Sequence, residues 1–189
     1  MKIAALLTIA IPVAVAMAFG QNLPRQAPEQ FIHFPGGKTT KVSDYRGKVV
    51  LVAFILTGCS HCQHTVGLLN GIQSELGKRG FQTLGLAVNS DAPERLAEFY
   101  EKFKPKFPVG YCSNADLGPF LQLPTDQRPL APLLAFLDRK GVIRFETNGA
   151  DGAFFDDQQA DHIRTEVLKL LGQKSSASRT SRRLLAQKP

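Results

Sequence analysis

Two cysteines lie two residues apart near the start of a predicted helix, in the segment Cys59-Ser60-His61-Cys62. Such a pair can pass two electrons by forming and breaking a disulfide, and the attacking species is the thiolate rather than the thiol. The motif follows a run of apolar residues, Val49–Leu56, and precedes apolar residues at helical spacing. We therefore predict that the first sulfur lies at a helix N-terminus, where unpaired N–H groups favour its anion.

In this arrangement Cys59 is predicted to be the attacking sulfur and Cys62, one turn further, the resolving sulfur. His61 lies between them and is expected to add positive charge or a hydrogen-bond donor. The expected chemistry is thiol–disulfide exchange, which requires no cofactor and no metal, with protein substrates and a redox partner protein as partners. The third cysteine, Cys112, is predicted to be a small buried hydrophobic residue, with an intermolecular or auxiliary redox role as the alternative.

Other uses of a Cys-x-x-Cys motif fit the sequence less well. A structural zinc site would need a second pair of ligands, and covalent haem attachment needs His where Gln63 stands. Peroxiredoxins carry Thr or Ser three residues before the reactive cysteine, and neither cysteine of the motif has one. A copper or zinc carrier stays an alternative because His61 and His64 flank the pair. A protein that only mediates interactions would not need the two cysteines.

The N-terminus indicates an exported protein. Residues 1–18 combine one basic residue, Lys2, an apolar run and a final Ala16-Met17-Ala18, which predicts a signal peptide cleaved before Phe19. An uncleaved membrane anchor is the alternative, although the run is short and contains Pro12. The expected location is periplasmic or otherwise extracytoplasmic, where disulfides persist.

The net charge of +7 does not predict a nucleic-acid-binding surface, because much of it lies at the C-terminus. Residues 173–189 contain five basic residues and no acidic residue, and they are predicted to form a disordered tail. Residues 19–30 are rich in Pro and Gln and are predicted to be a linker. One domain, residues 31–172, is expected between them, and membrane contact is expected only through an uncleaved signal segment.

The pattern of this central region predicts an α/β domain with a mixed sheet. Phe31–Phe34 and Lys41–Val42 flank a Pro-Gly-Gly turn and predict an N-terminal hairpin. Two apolar runs, Val49–Leu56 and Phe81–Val88, predict strands that are covered on both faces. The other predicted elements are helices from the Cys-x-x-Cys motif and from Asp91, a strand over 107–112, a short helix over 115–123, a hairpin over 133–146 and a helix over 156–171.

The segment Lys41–Cys62, KVSDYRGKVVLVAFILTGCSHC, resembles the exported thioredoxin-like proteins of the thiol–disulfide interchange type, a group that includes reductants of cytochrome c maturation. The stretch Ala131–Gly141, in which a proline precedes an apolar strand and an Asp-x-x-Gly turn, is also similar to these proteins. The resemblance implies a thioredoxin fold with an N-terminal hairpin extension. It also implies that Pro132 is a cis-proline facing the active-site disulfide.

The chain departs from these relatives beside the motif. Gly58 stands where the family usually has Trp, Ala53 where thioredoxins have a buried Asp, and Thr65 where some reductants have Glu. The carboxylates that could accept the proton of the resolving thiol are therefore absent, and His64 or water would have to accept it. The Ser-His dipeptide is more similar to oxidising members of the superfamily, which favours an oxidant or an isomerase-like exchanger.

Overall fold

The computed structural model describes residues 22–123 and 129–172. The predicted signal peptide and the predicted tail lie outside the described residues. The described part contains the following strands and α-helices: β1 Arg25–Gln26, β2 Phe31–His33, β3 Thr39–Lys41, β4 Val49–Ile55, α1 Ser60–Leu76, β5 Phe81–Ala87, α2 Ala92–Phe103, β6 Val109–Tyr111, α3 Asn114–Leu121, β7 Leu133–Leu137, β8 Val142–Asn148 and α4 Gln159–Gly172.

The strands form one mixed sheet in the order β1-β8-β7-β4-β5-β6-β2-β3. Strand β4 is parallel to β5 and antiparallel to β7, and all of its residues are buried, as its continuous apolar run predicts. Its side chains alternate between two hydrophobic clusters, one on each face of the sheet. Helices α1, α2 and α4 cover one face, and α3 covers the other together with Val42 and Tyr45 from the turn after β3. The predicted thioredoxin-like α/β architecture is confirmed.

The predicted N-terminal hairpin is also present and extends one edge of the sheet. Strands β2 and β3 pair antiparallel, and β2 joins the domain where His33 pairs with Tyr111 of β6. The approach is so close that a Cβ on Gly110 would lie 2.4 Å from the His33 carbonyl oxygen. Only glycine allows this backbone contact, so Gly110 is required for docking of the hairpin.

Part of the segment predicted to be a linker, residues 19–30, forms a short strand in the structure. Arg25 and Gln26 form strand β1 on the outer edge of β8, and Ala27 N donates to the Gly141 carbonyl at 3.0 Å. The Arg25 guanidinium makes a buried ion pair with Glu146, although burial still raises the pKa of that carboxyl to about 7. A two-residue polar strand has no sequence signature of its own, because it forms only where a sheet edge already exists.

Two helices begin differently in detail from what the sequence predicts. Helix α2 begins after Asp91 as expected, but the Asp91 carboxylate accepts hydrogen bonds from the side chains of Asn89 and Arg95 rather than from a backbone N–H of the first helical turn. Helix α4 begins at Gln159, later than predicted, because the Asp156 carboxylate accepts from Gln158 N at 2.7 Å in a preceding turn. No helix within residues 22–123 and 129–172 is long and apolar enough to cross a membrane.

Candidate redox site

Cys59 is the N-cap residue of α1, at the junction that the sequence predicts. Its backbone is extended, and its Sγ accepts a hydrogen bond from Cys62 N at 3.4 Å. Gln63 N donates to the Cys59 carbonyl at 3.0 Å and continues the first turn. Cysteine here takes the place that Ser, Thr or Asp usually has at a helix start. A helix N–H therefore points at the sulfur, as the thiolate hypothesis requires.

Cys62 lies one turn further and is fully buried, whereas Cys59 is partly exposed. The Cys62 Sγ accepts a hydrogen bond from Leu56 N at 3.5 Å. Burial raises the pKa of the Cys62 thiol to about 12, so this sulfur is protonated at neutral pH. The two sulfurs are both free thiols in the structure, and only Cys59 is accessible to a partner.

The surroundings of Cys62 are neutral at the two positions where relatives have carboxylates. Ala53 is buried in β4, on the same side of the sheet as Cys62. The buried Thr65 hydroxyl donates to the His61 carbonyl at 2.9 Å and accepts from Gln159 Nε2 at 3.0 Å. This neutral hydrogen-bonded pair replaces an acidic group. The side chains of His61 and His64 are exposed.

The loop between β4 and α1 is held by a set of hydrogen bonds on Thr57. Asn89 Oδ1 accepts from Thr57 N at 3.0 Å, and Asn89 Nδ2 donates to Thr57 Oγ1 at 2.9 Å. Gln63 Nε2 donates to the Thr57 carbonyl at 2.8 Å. We call these three residues the Thr57 clamp. No motif of the sequence predicts this clamp, although a polar residue just after a buried parallel strand is a usable signal for Asn89.

Pro132 lies at the start of β7, and the Ala131–Pro132 peptide bond is cis, the conformation that the resemblance implies. Leu133 pairs with Phe54 of β4, so Pro132 lies beside the end of the strand that leads to Cys59. The structure thus brings Cys59 and Cys62 into contact and places Pro132 at the same end of the sheet.

A groove of about 800 Å³ opens at the carboxyl ends of β4, β5 and β6, and Leu56, Asn89, Tyr111 and Cys112 are among its lining residues. Leu56 is 37% exposed although it directly follows a buried strand. Leu130, which is 59% exposed, precedes the cis-proline. Both are large apolar side chains that remain accessible, Leu56 three residues before Cys59 and Leu130 two residues before Pro132.

A metal site is not formed by the described residues as they stand. Within residues 22–123 and 129–172 no group of three or more His, Cys, Asp or Glu side chains is placed to hold a metal ion. The cluster Cys59, His61, Cys62 and His64, on which the carrier alternative rests, is therefore not assembled as a ligand set.

Residues 26–163 match the Redoxin family, and the chain belongs to this family. Its fold is similar to that of a thiol:disulfide interchange protein of the thioredoxin family from Chlorobium tepidum, with 19% identity, a TM-score of 0.65 and coverage of 79% of this chain and 97% of that one. A thiol:disulfide interchange protein from Bacteroides sp. has 19% identity, a TM-score of 0.61 and coverage of 82% and 93%.

A third similar structure is a secreted disulfide oxidoreductase from Mycobacterium tuberculosis that is homologous to E. coli DsbE. It has 15% identity and a TM-score of 0.58, and the match covers 75% of this chain and 96% of that one. At these identities the likeness shows the fold, which is that of the thioredoxin-like proteins.

Proposed function

We propose that this protein is an extracytoplasmic thiol–disulfide oxidoreductase that exchanges a Cys59–Cys62 dithiol or disulfide with protein thiols. One observation carries the proposal: the partly exposed Cys59 sulfur is the N-cap of α1 and accepts a hydrogen bond from Cys62, whose own sulfur is buried behind it. The Redoxin family match and the similarity to thiol:disulfide interchange proteins support the same activity.

The geometry supports a separate role for each sulfur. The Cys59 thiolate attacks a partner disulfide, a mixed disulfide forms, and one partner sulfur leaves as thiolate. Cys62 then loses its proton and attacks the Cys59 sulfur, so that the second partner sulfur leaves and the partner gains two electrons. The oxidising direction is the reverse sequence. His61, exposed between the sulfurs, is proposed to stabilise the anion on Cys59.

The expected substrate is a polypeptide rather than a small thiol. A partner chain can add as an extended strand along the backbone at Pro132, which suits many sequences because main-chain hydrogen bonds carry the affinity. Leu56 and Leu130 would contact its apolar side chains, since both are exposed at this end of the sheet.

The neutral surroundings of Cys62 support an oxidant or isomerase rather than a reductant. A buried thiol with a pKa of about 12 and neutral Ala53 and Thr65 beside it resolves a mixed disulfide slowly. Slow resolution keeps the mixed disulfide long enough for a substrate to exchange its own disulfides. The Ser-His dipeptide favours the same direction.

The proposal is tested with the full chain and its Cys59→Ser variant, using scrambled ribonuclease as the disulfide substrate. We expect the variant to lose exchange, and full activity in it would contradict the assigned roles. Equilibration of the wild type with glutathione gives the reduction potential, which we expect above about −220 mV. A potential well below the glutathione couple would instead identify a reductant, as in cytochrome c maturation.

Two further measurements separate the alternatives. Cu(I) or Zn(II) titration of the reduced protein is expected to show no tight stoichiometric binding, whereas tight binding with little exchange would favour the carrier. N-terminal sequencing of the exported protein is expected to begin at Phe19. A retained N-terminus would favour the uncleaved anchor.

A further inference from the structure

We infer that Asn89 and Gln63 are positioning residues that hold Thr57 so that the Cys59 and Cys62 sulfurs stay within bonding reach of each other. The inference rests on the proposed function of the pair, and it adds two residues that neither touch the sulfurs nor belong to the Cys-x-x-Cys motif.

The loop that the clamp holds contacts both cysteines. Leu56 N donates to Cys62 Sγ at 3.5 Å, and the Leu56 carbonyl accepts from Cys59 N at 3.1 Å. Thr57 is the next residue and is buried. The position of Leu56 relative to each sulfur therefore depends on how firmly Thr57 is held.

Asn89 holds Thr57 from the loop between β5 and α2. Its side-chain amide bonds both the backbone N–H and the hydroxyl of Thr57, so the contact fixes an orientation as well as a distance. Asn89 is itself anchored, because its carbonyl accepts from Ala92 N at 3.0 Å and its Nδ2 donates to Asp91 Oδ1 at 2.7 Å. The start of α2 therefore supports the loop that carries Cys59.

Gln63 holds Thr57 from the opposite side. It follows Cys62 on α1 and donates from its side chain to the Thr57 carbonyl at 2.8 Å. The backbone N–H, the hydroxyl and the carbonyl of Thr57 are thus bonded by two side chains from different elements. A buried residue with all three of these polar groups bonded has little freedom to move, so the loop on either side of Thr57 is held near the sulfurs.

Loop order has a direct chemical consequence. The two sulfurs must approach to about 2.05 Å to form the disulfide, and a firm loop raises the effective concentration of one sulfur at the other. In a glutathione buffer, the protein disulfide takes two electrons from two glutathione thiols, which gives the protein dithiol and one glutathione disulfide. A loosened loop shifts this equilibrium toward the dithiol and slows attack by Cys62 on a mixed disulfide at Cys59.

Asn89→Ala in the full chain tests the inference. We expect the equilibrium constant for forming the Cys59–Cys62 disulfide in glutathione buffers to fall about tenfold, which corresponds to ~30 mV for a two-electron couple. Release of glutathione from the mixed disulfide should slow by a similar factor.

Asn70→Ala is the matched control, because Asn70 also bonds backbone groups of another element. Its Nδ2 donates to the Phe103 carbonyl at 3.2 Å and its Oδ1 accepts from Lys106 N at 2.7 Å, about two helical turns further along α1 than Gln63. It should lower the melting temperature as Asn89→Ala does but leave the equilibrium constant within about twofold. An equal shift in both variants would overturn the inference.

Variants of Thr57 test the clamp without touching Asn89. Thr57→Val removes the hydroxyl and should shift the equilibrium about threefold, whereas Thr57→Ser keeps it and should match the wild type. In the double variant with Asn89→Ala, Thr57→Val should add nothing. If Asn89→Ala and Thr57→Val form the Cys59–Cys62 disulfide with the same equilibrium constant as the wild type, the inference about the clamp is overturned. If the wild type itself forms no Cys59–Cys62 disulfide, the proposed function is overturned instead.

Discussion

Two strand-to-helix junctions at the same end of the sheet contain the buried cysteines of this protein, and they differ in which residue begins the helix. At β4–α1 the N-cap is Cys59, and Cys62 lies one turn inside the helix. At β6–α3 Cys112 precedes the helix, and the N-cap is Ser113, whose hydroxyl accepts from Ala115 N at 3.1 Å.

Burial affects the two buried sulfurs alike. Cys62 is fully buried and Cys112 is 5% exposed, and burial raises the pKa of each thiol to about 12. Their neighbours differ, because a second sulfur at the helix start faces Cys62, whereas Cys112 has the carboxylate of Asp116 nearby. Burial therefore makes both thiols weak acids, but only Cys62 lies one helical turn from a second cysteine, the arrangement on which the proposed exchange depends.

The largest expected difference is in turnover. Cys62→Ser removes the internal attacking sulfur, so exchange should slow about 10³-fold and a mixed disulfide at Cys59 should accumulate. Cys112→Ser should exchange at the wild-type rate. Mass spectrometry after acid quenching measures the trapped species, and a trapped adduct in Cys112→Ser instead would reverse the comparison.

The next difference is in pH dependence. Because the pKa of Cys62 is about 12, only a small fraction is thiolate at neutral pH, and this fraction grows about tenfold per pH unit. The rate of mixed-disulfide resolution should therefore rise about tenfold per pH unit, or about 100-fold between pH 7 and 9, with the same slope in Cys112→Ser. A rate independent of pH would show that a nearby base accepts the Cys62 proton.

Stability should show that the two buried thiols are equivalent. Each has a raised pKa in the folded protein, so its contribution is fully present below about pH 9 and is lost as the pH rises toward 12. Between pH 9 and 10 the reduced wild type should lose free energy of unfolding. Cys62→Ala and Cys112→Ala should each make this loss smaller by about 1 kcal/mol. Urea unfolding at both pH values measures this, and a removal seen in only one variant would contradict equal burial.

The smallest effect is expected for Cys112→Ala near pH 7. Removing one small buried group should cost about 1 kcal/mol of unfolding free energy and leave exchange within twofold. Chemical denaturation with a parallel exchange assay checks both numbers. A marked loss of exchange at wild-type stability would assign Cys112 a role in the reaction.

Local patterns in the sequence were enough to predict the central strand and the helix that follows it. The apolar run of β4 and the helical spacing after Cys62 predict the junction and its N-cap, because both depend on periodicity and on backbone groups within one turn. The cis-proline came from resemblance rather than from local physics. Strand β1 was predicted as part of a linker, since Arg25 and Gln26 are extended only against β8.

The sequence by itself determined the class of fold and the position of the two neighbouring cysteines at a helix start. Only the tertiary structure decided what surrounds that pair: Asn89 meets Thr57 across 32 residues, and Gln159 meets Thr65 across 94. Such contacts have no local signature, because side-chain amides bond any polar group that the packing brings near. Separation along the chain explains this difference. Helix and strand periodicity depend on near neighbours in the sequence, whereas the hydrogen bonds of the site depend on how the sheet and the helices pack.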